Sequence, residues 1–215
     1  MNNLEIRIHT RGGSLETFVQ DDPALADRML KEIRPATMFA ADVITIAGDY
    51  SLTTFVSSRI NRVDIVTKDF APWKYPADIL DVVEVSGDEF RQRSHLNDPA
   101  RLEKRQSPKQ TGELALVFGE VEMAGGNRVF LAAKMMVTLP AERLQRLRML
   151  FCASAVHFRL RQGGAAILNL KNLVRVTFNP GPDRAPIGAW PAHHIPRRQG
   201  AGRIADAMTG TNPNP

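Results

Sequence analysis

The expected architecture of this chain rests on residues 4–20, LEIRIHTRGGSLETFVQ. Apolar and polar residues alternate at positions 4–8, which is the period-two pattern of a strand with one buried face. The pair Gly12-Gly13 favours a tight turn, and residues 15–20 then form a second strand of suitable length. We therefore predict that the chain begins with a β-hairpin.

A helix and three short strands are predicted after this hairpin. Asp22-Pro23 is a typical helix start, because the aspartate can accept bonds from free backbone N–H groups and proline suits the first helical position. The apolar residues that follow lie on one side of the helix, and Pro35 ends it. Strands are then predicted at 43–47, 52–56 and 60–66.

The same order of elements returns in the second half of the chain. Its predicted elements are strands at 114–123 and 128–137, a helix at 140–151, and strands at 156–161, 165–168 and 173–178. Gly125-Gly126 follows the first glycine pair by 113 residues, and the last strand keeps that offset. We therefore predict an α+β fold of two similar units, each a small, mainly antiparallel sheet covered by one helix. A tandem duplication would produce this pattern, and convergence on a common arrangement is the alternative.

Composition divides the chain into four predicted segments. We assign residues 1–88 to an acidic α+β unit, 89–112 to a polar linker and 113–180 to a basic α+β unit. Residues 181–215 are rich in Pro and Gly and lack apolar periodicity. Such a composition cannot bury enough apolar surface to fold, so we predict a disordered, flexible C-terminal tail.

Charge distribution separates the two predicted units. Residues 1–100 hold 11 Lys and Arg against 16 Asp and Glu, a net charge of −5, whereas residues 101–215 hold 17 against 7, a net charge of +10. Opposite charges favour docking within one chain or association between chains. We therefore predict a non-enzymatic interaction or scaffolding protein. It binds a protein partner, or itself as a homo-oligomer, through charge-complementary units.

Basic side chains of the second half support an alternative function. Arg159 and Arg161 share one face of a predicted strand, because side chains alternate with a period of two. A basic face can neutralise phosphates and so bind nucleic acid or another polyanion. Few aromatic residues are free to stack on bases, so nucleic acid is the less favoured partner. The candidate anion- or partner-binding residues are Arg146, Arg148, Arg159, Arg161, Lys171 and Arg175.

Sequence patterns of catalysis are weak, so we predict no enzyme, no cofactor and no metal. The chain lacks a G-x-x-x-x-G-K-[ST] phosphate-binding loop and a G-x-S-x-G nucleophile motif. Residues 200–205, GAGRIA, fit a dinucleotide fingerprint, but no strand pattern precedes them. His193-His194 offers two of the three or four ligands that zinc needs, and His157 is interpreted as a packed or edge residue of a strand rather than as a base. An enzyme without these motifs is the remaining alternative.

A cytoplasmic location is predicted from three features. Cys152 is the only cysteine, which excludes an intrachain disulfide. The N-terminus lacks the basic and apolar regions of a signal peptide. No apolar run approaches the ~20 residues that span a bilayer, so we predict no membrane partner.

Overall fold

β-Strands dominate the structure, which is a computed structural model. It describes residues 3–68, 70, 73–95, 100, 110–181, 187–190 and 192. The chain divides into two compact units, residues 1–184 and residues 185–215, and every element below belongs to the first. Within the described residues the strands are β1 (Leu4–Thr10), β2 (Leu15–Gln20), β3 (Val43–Ala47), β4 (Leu52–Val56), β5 (Ile60–Val66), β6 (Ile79–Val85), β7 (Leu114–Met123), β8 (Arg128–Met136), β9 (Ala155–Arg159), β10 (Ala165–Asn169) and β11 (Leu173–Asn179).

Three α-helices accompany these strands in the described part of the chain. They are α1 (Pro23–Glu32), α2 (Gly87–Ser94) and α3 (Pro140–Cys152). The Asp22 carboxylate caps α1 by accepting from two backbone N–H groups, as the sequence predicts. Short 3-10 turns, Ser57–Arg59 and Leu170–Asn172, lead into β5 and β11. The predicted strand positions are confirmed to within about two residues, because alternation and glycine turns are local signals.

Nine of the strands form one sheet, and β3 and β4 form a separate hairpin. The order in the large sheet is β11-β7-β8-β6-β9-β10-β5-β1-β2. All neighbours are antiparallel except β6 and β9, which meet in parallel at one residue pair, Val83 and Arg159. The sheet is therefore made of two antiparallel halves that share one narrow parallel contact.

The prediction of two similar units, each a small sheet covered by one helix, is wrong, and so is the interpretation as a tandem duplication of such units. Strands β9 and β10 come from the second half of the sequence but continue the half-sheet of β5, β1 and β2. All five residues of β10 are buried, so this strand needs neighbours and cover on both faces. Helix α3 has no fully buried residue, so it does not cover a sheet of its own.

The predicted linker and tail lie only partly within the described residues. The linker's first residues belong to α2, whereas residues 96–99 and 101–109 lie outside the described residues. In the tail, so do residues 182–186, 191 and 193–215, including His193-His194 and the 200–205 motif. The segment boundaries and the flexibility of the tail stay predictions.

Apolar side chains join the two half-sheets. One buried cluster places Val121 and Met123 of β7 against Phe158 of β9 and Leu168 of β10. A second cluster fills the space beneath β1 and β5, where the apolar side of α1 packs. Burial of these side chains removes apolar surface from water at roughly 25 cal/mol per Å². Side chains of both sequence halves therefore meet in each cluster, since Val66 and Val82 pack against the first and Ile167 belongs to the second.

The turn between β7 and β8 is held tightly against the other half-sheet. The Asn61 side-chain amide donates to the Ala124 carbonyl oxygen at 2.7 Å. Gly125 and Gly126 both have positive φ angles, +88° and +85°. A Cβ atom on Gly125 would lie 2.2 Å from the Arg11 carbonyl oxygen, whereas one on Gly126 would meet open space. Gly125 is thus required for a close backbone approach, and Gly126 for turn conformation alone.

Candidate interaction surface

The predicted basic residues of β9 and the turn after it are held by carboxylates. Arg159 donates to both oxygens of Asp81, at 2.8 and 2.5 Å. Arg161 forms an ion pair with Glu89 at 2.8 Å. The hydrogen bond from Arg159 lowers the pKa of Asp81, so this carboxylate stays ionised at neutral pH. Both acidic partners belong to the acidic half of the sequence.

The other four predicted residues lie on helix α3, on the 3-10 turn before β11 and on β11 itself. Arg146 of α3 forms an ion pair with Asp78, and Arg175 of β11 pairs with Glu122 at 2.8 Å. Lys171 donates to the Phe39 carbonyl oxygen at 3.4 Å. Arg148 is exposed on α3. Most of the predicted basic residues therefore compensate charges within the chain, and an incoming phosphate would compete with those carboxylates.

Sequence reasoning missed a charged network centred on Arg62, whose side chain is only 12% exposed. Its guanidinium donates to Asp64 at 2.5 Å and to both oxygens of Glu84 at 2.5 and 2.8 Å. His9 Nε2 lies 3.0 Å from the second Asp64 oxygen. The guanidinium also lies 5.3 Å above the Phe158 ring, within range of a cation–π contact. The network therefore connects strands β1, β5, β6 and β9.

The protonation states of this network favour a structural role. Burial alone would raise the pKa of Asp64, but hydrogen bonds from His9 and Arg62 outweigh it and hold that pKa below its ordinary value. Burial likewise opposes the charge of Arg62, whereas its bonds to Glu84 and Asp64 raise its pKa overall. A carboxylate with a lowered pKa is a weak general base at neutral pH. Asp64 and Arg62 are therefore both charged at neutral pH, and each offsets the other's burial.

An aromatic group covers the middle of β9. The His157 ring stacks on Tyr75 at a centroid distance of 4.7 Å and meets the edge of Trp73 at 5.4 Å. Burial lowers the pKa of His157, so its ring is neutral at pH 7. Burial also raises the pKa of Tyr75 to about 12. The interpretation of His157 as a packed strand residue is confirmed.

The β3–β4 hairpin presents an uncharged outer surface. Its inner residues Ile44, Ile46 and Phe55 pack on the core, and Phe55 meets Phe18 edge to face at 5.9 Å. Its outer residues are all exposed and form three cross-strand pairs, Val43–Val56, Thr45–Thr54 and Ala47–Leu52. We call these six residues the outer hairpin face. Leu52 is the most exposed of its large apolar members, at 71%.

The edges of the hairpin are also open. Among the described strands, β3 and β4 pair only with each other, so each has one edge without backbone partners. Natural edge strands usually carry charges, prolines or bulges that discourage pairing with another chain. The sequences VITIA and LTTFV contain no charge and no proline. No family model, curated protein or solved structure matches this chain.

The described residues contain neither a cluster of metal-ligating side chains nor a membrane-spanning helix. Nowhere in these residues do three or more His, Cys, Asp or Glu side chains come together as a group that could hold a metal ion. No helix among them has the length and apolar character to cross a membrane.

Proposed function

We propose that this protein is a non-enzymatic assembly module that binds a second copy of itself through the β3–β4 hairpin. The observation that carries the proposal is the combination of an uncharged outer hairpin face with two unprotected edges. Exposed apolar side chains gain about 25 cal/mol per Å² when a partner covers them. An unpaired edge can add main-chain hydrogen bonds to an extended segment of another chain.

A second copy is a suitable partner because this chain has open edges at more than one place. Within the described residues, the large sheet ends at β11 on one side and at β2 on the other. Two copies can therefore each supply a hairpin and an acceptor edge, and reciprocal exchange closes the assembly without leaving a free end. The proposal does not use the opposite charges of the two sequence halves, because Asp81 and Glu89 already compensate Arg159 and Arg161 within one chain.

The substitution Leu52→Lys tests this proposal. At roughly 50 µM, a concentration at which an association with a Kd of about 1 µM would be nearly complete, we expect most of the wild-type chain to elute near twice its monomer mass of 23.9 kDa. In a dilution series from roughly 1 to 100 µM, we expect Leu52→Lys to need a concentration about tenfold or more higher than the wild type to reach the same mass, because the lysine charge would have to be desolvated in the contact. Size-exclusion chromatography with light scattering measures the mass.

Leu80→Lys is the matched control for this experiment. Leu80 is also an exposed strand leucine, at 49%, but it lies on β6, which has a neighbour on each side. We expect its mass to equal that of the wild type. Added salt distinguishes the mechanism, because it weakens association between opposite charges but not association between apolar surfaces. A wild-type mass of one chain at 50 µM would rule out the proposal.

A further inference from the structure

We propose that the acceptor for the hairpin is β11 of the second copy, with β4 lying antiparallel to it so that Leu52 faces Phe178 and Phe55 faces Arg175. This inference rests on the proposed self-association and specifies where it occurs. Strands β5 and β11 are held in the same way by the fold. Strand β5 has its outer edge covered within the chain. The other, β11, has no strand on that edge among the described residues.

Strands β5 and β11 are paired alike on their inner edges. In the β1–β5 pair, Ile8 faces Val63 and Glu5 faces Val66. In the β7–β11 pair, the residues 113 positions later face each other, Val121 with Val176 and Phe118 with Asn179. Both pairs are antiparallel. In both, the break in register lies at the start of the second strand, β5 or β11. Because the register is shared, the two outer edges present their backbone groups at equivalent positions.

The strands that precede them in sequence are also alike. Five-residue β4 leads through the turn Ser57–Arg59 into β5, and five-residue β10 leads through the turn Leu170–Asn172 into β11. Each of these strands is the second strand of an antiparallel hairpin, β3–β4 or β9–β10. Strand β4 therefore has the same relation to its hairpin and turn as β10.

Strands β4 and β10 differ in whether a second strand pairs with the edge that faces away from their own hairpin partner. Strand β10 pairs antiparallel with β5, and Ala165 faces Ile65 while Leu168 faces Arg62. Strand β4 makes no such pairing in the described chain. Transferring the β10–β5 register to β4 and β11 gives four predicted pairs between copies, Leu52–Phe178, Thr53–Thr177, Thr54–Val176 and Phe55–Arg175.

The side chains in this register are compatible. Leu52 with Phe178 is an apolar pair, and the two inner pairs join threonine with threonine and threonine with valine, which favour strands. The only charged residue in the pairing is Arg175, which is already compensated by Glu122 on β7. No like charges face each other, and neither strand contains proline. Strand β2 is a weaker acceptor because it carries Glu16 and lacks the β5-like register.

Disulfide crosslinking between two single-cysteine chains tests the register. The exposed native Cys152 is first replaced by serine in every chain. A chain with Thr53→Cys is then mixed with a chain with Thr177→Cys under mild oxidation. Directly opposed residues of an antiparallel pair lie about 4.5–5.5 Å apart, which is within disulfide range. We expect the mixture to form a covalent product with twice the mass of one chain.

The matched control replaces Thr54 instead of Thr53. In the proposed register Thr54 is displaced by one residue from Thr177, and its side chain points to the other side of the pair. We expect about tenfold less crosslinked product than with Thr53→Cys, because Cβ atoms on opposite faces do not meet disulfide geometry. Both substitutions exchange threonine for cysteine, so they perturb the strand equally.

Other results of the crosslinking experiment would overturn the register, the contact between copies, or both proposals. The register is wrong if the chain has the mass of a dimer but Thr53→Cys and Thr54→Cys give equal amounts of crosslinked product with Thr177→Cys. It is also wrong if Thr53→Cys crosslinks to Thr17→Cys on β2, or if Thr177→Cys crosslinks to itself. In each of these cases the proposed self-association still stands. A doubly substituted chain that crosslinks within one chain would overturn the intermolecular contact. A wild type of monomer mass would overturn both proposals.

Discussion

Replacing Arg62 with alanine is expected to lower the free energy of unfolding by about 3–5 kcal/mol. Removal of the guanidinium leaves Asp64, whose side chain is 3% exposed, without its main charge partner. It also leaves Glu84 without its bidentate hydrogen bonds and Phe158 without its cation–π contact. A buried carboxylate without compensation is costly because its hydration is not replaced. Urea denaturation followed by circular dichroism measures the change.

The control substitution is Arg175→Ala, which removes an exposed arginine from a similar pair of carboxylates on β7. We expect a loss of less than about 1 kcal/mol there, because water and salt screen an exposed ion pair. A second variant, Asp64→Asn combined with Arg62→Ala, should recover part of the loss because the uncompensated charge is gone. Equal losses for Arg62→Ala and Arg175→Ala would contradict the structural role of the network.

The same network predicts a pH dependence of stability. The pKa of Asp64 is lowered in the folded chain, so the unfolded chain binds more protons at acidic pH. The stabilisation by Asp64 is therefore present above its ordinary pKa of about 4 and is lost as the pH falls through the lower, folded value. Asp64→Asn should have a shallower decrease in unfolding free energy between about pH 5 and 2 than the wild type. An identical slope for both proteins would show that Asp64 does not contribute.

Gly125→Ala is expected to destabilise the chain by about 3–5 kcal/mol, which combines backbone strain with a backbone collision. The positive φ of Gly125 disfavours any side chain, and its Cβ would overlap the Arg11 carbonyl oxygen. That oxygen belongs to the β1–β2 turn, so relief of the overlap would separate this turn from the β7–β8 turn. Thermal unfolding followed by calorimetry measures the loss.

Gly126→Ala provides the comparison, because Gly126 has nearly the same φ but open space at its Cβ position. We expect a loss of about 1–2 kcal/mol from backbone strain alone. The difference between the two variants isolates the close contact of the two turns. If the two losses were equal, the turns would not touch in solution.

Local patterns in the sequence predicted the strands well but not their neighbours. Alternation at Leu4, Ile6 and Ile8 and the glycine turns depend on residues close together in the chain. The position of β10 beside β5 depends on Ala165 reaching Ile65, and no local pattern carries that information. The uniformly apolar start of β10 was a signal of burial on both faces, which is incompatible with a small sheet exposed on one side.

For the candidate residues too, the sequence indicated the charged side chains but not their distant contact partners. Arg159 and Arg161 were identified from charge, but the carboxylates that hold them lie more than seventy residues away, on β6 and α2. The Arg62 network was partly accessible, since Arg62 and Asp64 share one face of β5 by period two. The outer hairpin face was accessible too, because VITIA and LTTFV lack the charged alternate positions of LEIRIHT.

The pairing of β10 with β5 also determines when the protein can complete its fold during synthesis. Ile65 leaves the ribosome 100 residues before Ala165, its neighbour in the sheet. At translation rates of 5–20 residues per second, this interval lasts roughly 5–20 s. For that time the nascent chain has a strand with an unoccupied edge whose Ile60, Val63 and Ile65 are not yet covered, and exposed apolar surface of this kind makes folding intermediates prone to aggregation. The order of synthesis therefore leaves this edge without its neighbour until residue 165 has been made.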